Sequence, residues 1–172
     1  MPATVRLNLP NSLWTARDSA RLAANTVAAI KLRTGKGLDA NGRPFKAYST
    51  RPIYVAFRGA RLKPKGGRLS RTGRSIFYAG GYQQYKQESR RRGAGSSALV
   101  DLVASGIMLN NLVVLHADDK RFILGMTPHV RHYAYAVNAE REFLGLSPAD
   151  VNMLVSAVEH ELMQKLKRRG QQ

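Results

Sequence analysis

Cysteine is missing from all 172 residues. That excludes disulfides, thiolate nucleophiles and Cys-ligated zinc, and it says nothing about compartment. Long apolar runs are missing as well. No stretch approaches the roughly 20 residues needed to cross a bilayer. The opening residues, MPATVRLNLP, have no apolar core, so no signal peptide is expected. The chain is therefore expected to be made and kept in a cytoplasm, or assembled there into something larger, with no membrane partner. Acids are scarce: 11 Asp and Glu stand against 28 Lys and Arg, a net charge of +17. Such an imbalance implies a polyanionic neighbour, either nucleic acid or an acidic protein surface. It does not imply sequence recognition, because attraction to phosphate is blind to base identity.

Hydrophobic residues make up 44% of the chain, enough for an ordinary globular core in a single domain spanning 1–172. The organising stretch is 99–126. Two apolar runs, 112–115 and 122–126, flank a polar corner at Asp118 and Asp119, the pattern of a β-hairpin. Residues 4–9 alternate, with Val5, Leu7 and Leu9 on one side, and predict a half-buried strand. From 13 to 33 neither Gly nor Pro interrupts. Leu13, Ala16, Ala20, Ala23, Val27 and Ile30 form an apolar stripe, with Asn11 or Ser12 as the cap and Gly35 and Gly37 as the stop. Pro128 can open a helix carrying Val130, Tyr133, Ala134 and Val137. The last helix has Ser147 as N-cap, Pro148 at its first position and Asp150 placed for a capping box. Its stripe runs Val151, Leu154, Val155, Val158, Leu162, Leu166. Assembled, the expectation is an α+β fold: a small, mostly antiparallel sheet with two long amphipathic helices on one face and a long basic arm.

That arm, 58–98, is read as an extended loop inserted between the first helix and the central hairpin, with a short helix near 82–91. It carries Arg58, Arg61, Lys63, Lys65, Arg68, Arg71, Arg74, Arg90, Arg91 and Arg92, with Glu88 the single acid in 58–92. Phe57, Phe77, Tyr78, Tyr82 and Tyr85 are interleaved with these cations, a mixture suited to phosphate contact plus stacking. A solvated loop is one reading. The preferred one lays the arm on an acidic neighbouring subunit.

Reactive constellations are weak. His129 and His132 share a helical spacing, but no third ligand lies near. Asp118 and Asp119, with Asp101 upstream, read as a solvated turn rather than a magnesium site. Ser105-Gly106 lacks the frame of a nucleophile elbow, and Lys65-Gly66-Gly67 lacks the spacing of a phosphate loop. No cofactor and no enzymatic activity are expected.

Three segments carry a resemblance. Residues 33–50, RTGKGLDANGRPFKAYST, are similar to a D-x-x-G-x-P-F-x-x-Y/L-S pattern and contain Gly42, Pro44 and Phe45. Residues 102–112, LVASGIMLNNL, match L-x-x-T/S-G-x-L/M-x-x-S/N-L through Ser105 and Gly106. Tyr133-Ala134 and then 141–150, REFLGLSPAD, match Y-A … R-x-F-L-G-L-S-x-x-D through Tyr133, Arg141, Phe143, Leu144 and Gly145. In this order the three resemble the neck and tail-completion proteins of tailed bacteriophages, the virion-morphogenesis group in particular. Two departures stand out: VNAE at 137–140 fills the place of a His-x-Gly loop, and the basic arm is longer than the usual linker.

The resemblance implies a structural virion subunit at the head–tail junction. It would form a homo-oligomeric ring, six copies favoured, or twelve if it matches the portal directly, between portal or head-closure proteins and the tail tube or terminator, with viral DNA in the lumen. A tail-terminator ring and a non-enzymatic nucleic-acid-binding module using the basic arm are the alternatives.

Overall fold

The computed structural model describes residues 2–10, 13–56, 66–89, 100–102 and 106–170. The fold is α+β, and among the described residues every strand pairing is antiparallel. Two compact units make up the chain, one from 1–45 with 101–172 and the other from 46–100.

The first unit is built on a three-stranded sheet. Strands β1 (Ala3–Arg6), β5 (Leu112–Ala117) and β6 (Arg121–Met126) are ordered β1-β6-β5. The expected hairpin is thus β5-β6, with β1 added to its far edge. Phe122, Leu124 and Met126 alternate along β6 onto one face and are completely buried. Helix α1 (Ala16–Gly35) covers that face, contacting both β5 and β6. Its cap is Thr15: the hydroxyl accepts from the Asp18 amide, and the Asp18 carboxylate accepts from the Thr15 amide at 2.9 Å. This box overrides Asn11 and Ser12, which lie outside the described residues, and starts the helix three residues later than expected.

The buried face of α1 is also rotated from the alanine stripe. Ser19, Leu22, Ala23, Thr26, Ile30 and Arg33 face inward, while Ala16 and Ala20 are exposed. Two of the polar members are bonded close by. Ser19 accepts from the Trp14 indole N–H at 2.8 Å, and Thr26 donates to the Leu22 carbonyl at 2.8 Å.

The last helix, α5 (Pro148–Arg169), begins as expected, with Ser147 and Asp150 forming a reciprocal capping box. It runs antiparallel along α1 and is clamped at both ends. At one end Arg33, 6% exposed, donates to Asp150 and to the carbonyls of Phe143 and Gly145 at 2.7 and 3.0 Å. At the other, Lys165 bonds Asp18 and the Leu13 carbonyl and lies over the Trp14 ring. Arg21 adds a 2.6 Å pair with Glu161. Between the clamps the stripe expected to face the core is only half used. Leu154 is buried, whereas Val151, Val155 and Leu166 are exposed. Short helix α3 (Ile107–Asn110) precedes β5, and α4 (Pro128–Glu140) follows β6 and buries Val130 and Ala134. No described helix is long and apolar enough to cross a membrane.

The second unit corrects the arm. Its described part is folded rather than extended. Strands β2 (Ile53–Ala56), β3 (Arg68–Leu69) and β4 (Ser75–Tyr78) form a sheet ordered β2-β4-β3, followed by α2 (Gly81–Ser89). The physical reason is a nested aromatic interior. Tyr48 meets Tyr82, Tyr82 meets Tyr85, and Tyr85 meets Tyr78, each ring pair 5.1–5.7 Å apart. The buried Lys86 ammonium sits 5.1 Å from the Tyr48 ring centre. Charge density in the sequence hid this interior, because its polar-tipped rings do not read as a core.

Two outcomes follow for stability. Arg33→Ala strands a buried carboxylate, and urea unfolding is expected to show a loss of about 3–5 kcal/mol. Burial pushes the Asp18 carboxyl up, but the hydrogen bonds from Lys165 and Thr15 outweigh it and hold the group below its ordinary value of 3.8. A carboxylate lowered in the native state stabilises the fold above that value and loses the contribution as pH falls beneath it. The stability gap between the wild type and Asp18→Asn is therefore expected to be full at neutral pH and to close in acid, measured by thermal unfolding at stepped pH.

Candidate functional site

Most of the family-like residues converge inside the first unit. Turn 39–43 is held by Asp39, whose carboxylate accepts from the amides of Asn41 and Arg43, both at 2.8 Å. Gly42 completes it with φ +78°, and Pro44 bridges back to Leu38. Phe45 is buried. The Ala40 amide donates to the Glu142 carbonyl at 2.6 Å, joining this turn to the 142–145 segment. There Phe143 and Leu144 are buried, and their amides both donate to the Asn138 side-chain oxygen, at 3.0 and 2.7 Å. Gly145 lies against Ala40 closely enough that an added Cβ would stand 2.9 Å from the Ala40 Cβ.

The first and third motif segments are thus one structural knot tied around the Arg33 guanidinium. Asn138 and Arg33 were not singled out as site residues from the sequence. Asn138 stood only within the departing VNAE stretch at 137–140, whereas Arg33 stood at the start of the first motif. Burial pulls the Arg33 pKa down and the Asp39 carboxylate opposes it. Arg141 is mostly covered and lies 3.4 Å from Glu140. Tyr133 stands apart, 60% exposed on α4. Gly106, with φ +77°, precedes α3, and Ser105 lies outside the described residues.

The reactive candidates separate. Asp118 organises the β5-β6 turn, accepting from the Lys120 and Arg121 amides at 2.8 Å and facing His116 Nε2 at 2.9 Å. The His116 contact and those amides lower its carboxyl to about 2, so its charge is committed to the corner. His129 meets the Thr127 hydroxyl at 3.2 Å, and His132 is exposed. Among the described residues, no three His, Asp or Glu side chains are placed to hold a metal. Lys65 lies outside them, and Gly66-Gly67 enters β3.

Two surfaces remain. In the first unit the uncovered side of α5 and the β1 segment enclose an apolar groove of about 480 Å³. Val5, Leu7 and Leu9 form one wall, while Val155, Val158 and Leu162 form the other. In the second unit the expected cations divide. Arg68 is on β3, and Arg71 and Arg74 are in the turn joining β3 to β4, all exposed. None of the described acids pairs with any of the three. Arg58, Arg61, Lys63, Lys65, Arg90, Arg91 and Arg92 lie outside the described residues. Of the aromatics expected to stack on a ligand, Tyr78, Tyr82 and Tyr85 are spent on the unit's own interior.

Comparison of the chain with protein-family models, with curated proteins and with solved structures finds no match.

The small unit depends on a close backbone crossing. Gly81 opens α2 with φ +68°, and a Cβ there would stand 2.4 Å from the Arg51 carbonyl oxygen. Gly81→Ala is expected to cost about 1–3 kcal/mol of local stability from backbone strain alone. Hydrogen exchange would read this as faster exchange in peptides from 46–56 and 66–89, with peptides from α1 and β6 unchanged.

Proposed function

We propose that this chain is a non-enzymatic structural subunit of a tailed-phage virion, a neck or tail-completion protein that closes into a ring at the head–tail junction. The ordered motifs of 33–50, 102–112 and 141–150 are the first support. Their physical sense is structural: the residues of the first and third segments pack into one knot around Arg33.

The observation that carries the reading is the apolar groove beside α5. A 22-residue helix whose apolar stripe is half uncovered, next to an edge strand, has surface left for a partner. In a ring each copy presents one such surface to the next, a heterologous contact that closes by rotation. Six copies are favoured, twelve where the ring matches the portal directly. Assembly takes place in the bacterial host cytoplasm, the neighbours are portal, head-closure and tail-tube or terminator proteins, and duplex DNA threads the lumen.

Light scattering coupled to gel filtration tests this directly. The expected mass is near six or twelve times the chain's 19.0 kDa, with rings in negative-stain micrographs. Val155→Asp, at a position 49% exposed in the lone chain, should leave the unfolding midpoint nearly unchanged and shift the assembly to monomer. A monomer at high concentration that stays monomeric with purified portal or tail-tube protein would overturn the proposal.

A further inference from the structure

The β2-β4-β3 sheet has one face over its aromatic interior and one face open. Antiparallel register puts Tyr54 opposite Phe77, and Phe77 opposite Arg68 on its other side. Residues directly opposite each other in antiparallel strands project to the same face, so these three form one rung across all three strands. They alternate with Ile53, Val55, Ile76 and Tyr78, of which Ile76 and Tyr78 are buried.

The rung lies on the outside. Tyr54 is 68% exposed, and its ring sits 5.0 Å from that of Phe77, tilted by 47°. A large aromatic held this far into water gains little for the fold, since burial of such a ring is what ordinarily stabilises it. Arg71 and Arg74 hang from the turn at the end of the same sheet, exposed and without an acidic partner among the described residues. Across 46–100 the only acid is Glu88.

We propose that this face is a platform for single-stranded nucleic acid. Two adjacent rings and a guanidinium in one rung offer π-faces for successive unpaired bases, and the cations of the adjoining turn meet the phosphates. Stacking of this kind tolerates any base and needs bases that are not already stacked in a duplex. The charge selects a polyanion, and the aromatic pair distinguishes a single strand from a double helix or an acidic protein. The face shares no residue with the α5 groove, and the proposal stands whether or not the chain forms rings.

The test uses the full chain and fluorescence anisotropy with labelled oligo-dT and oligo-rU of about 15 nucleotides, near the upper site size of such platforms. A duplex of equal length is the comparison. Single strands are expected to bind at least tenfold more tightly than the duplex at the same salt, and the tighter of the two polymers identifies DNA or RNA as the source. Tyr54→Ala should weaken single-strand binding about tenfold, as loss of one stacking partner does, while Tyr54→Phe retains it. Arg71→Ala should lower the logarithmic salt slope by about 0.7, one phosphate contact on a single strand. A photo-crosslinking thymidine analogue should attach at Tyr54, Phe77 or the 68–74 segment. Equal affinity for duplex and single strand, Tyr54→Ala indistinguishable from wild type, or crosslinks confined to other segments would each overturn the platform.

Discussion

A guanidinium enters the interior of the first unit at Arg33, and most of that unit's architecture is arranged to receive it. Removing such a charge from water is costly unless every donor direction is met. Here the Asp150 carboxylate supplies the counter-charge and the carbonyls of Phe143 and Gly145 accept from Nη2, while the buried Nε–H has no hydrogen-bond partner among the described residues. Asp150 acts twice, since the same carboxylate accepts from the Ser147 amide and so caps α5. One ion pair therefore fixes where α1 ends, where α5 begins and how the 142–145 segment passes between them. The close approach of Gly145 to Ala40 follows from that passage, because a side chain at 145 would push the two segments apart.

The second clamp, at the opposite ends of the two helices, works differently. Asp18 and Trp14 are themselves buried, and Lys165, less covered, reaches in to bond the carboxylate while its ammonium lies over the indole ring. With both ends pinned, the middle of α5 does not need to bury its whole stripe to stay in place. That freedom leaves Val151, Val155 and Leu166 on the outside and creates a groove rather than a filled core. The surface proposed to join copies is thus a by-product of how strongly the helix ends are tied.

The small unit solves another problem, packing a cation-rich segment with few aliphatic residues. Tyrosine rings supply apolar area, and the Lys86 ammonium lies against the Tyr48 ring. Glycine at 81 lets α2 start almost on top of the 49–51 backbone. With its interior made of rings on one side of the sheet, Tyr54, Phe77 and Arg68 are left to the other.

Local signals in the sequence determined the elements whose causes are local. The β5-β6 hairpin follows from two apolar runs and an Asp turn, α4 from Pro128, and the start of α5 from Ser147, Pro148 and Asp150, because each needs only neighbours a few residues away. The alternation of Val5, Leu7 and Leu9 likewise appeared as a wall of half-buried side chains. Tertiary structure decided what depends on partners distant in the chain. It rotated the buried face of α1 toward Ser19, Thr26 and Arg33: the first two are met by nearby groups, whereas Arg33 is received by Asp150 and the Phe143 and Gly145 carbonyls from far along the chain. It turned half of α5's stripe outward, and it folded 66–89 onto 46–56 through ring contacts that no periodicity reveals. The motif residues were visible as letters; that Gly145, Phe143 and Asp150 all answer to one arginine more than a hundred positions earlier is a fact of three dimensions alone.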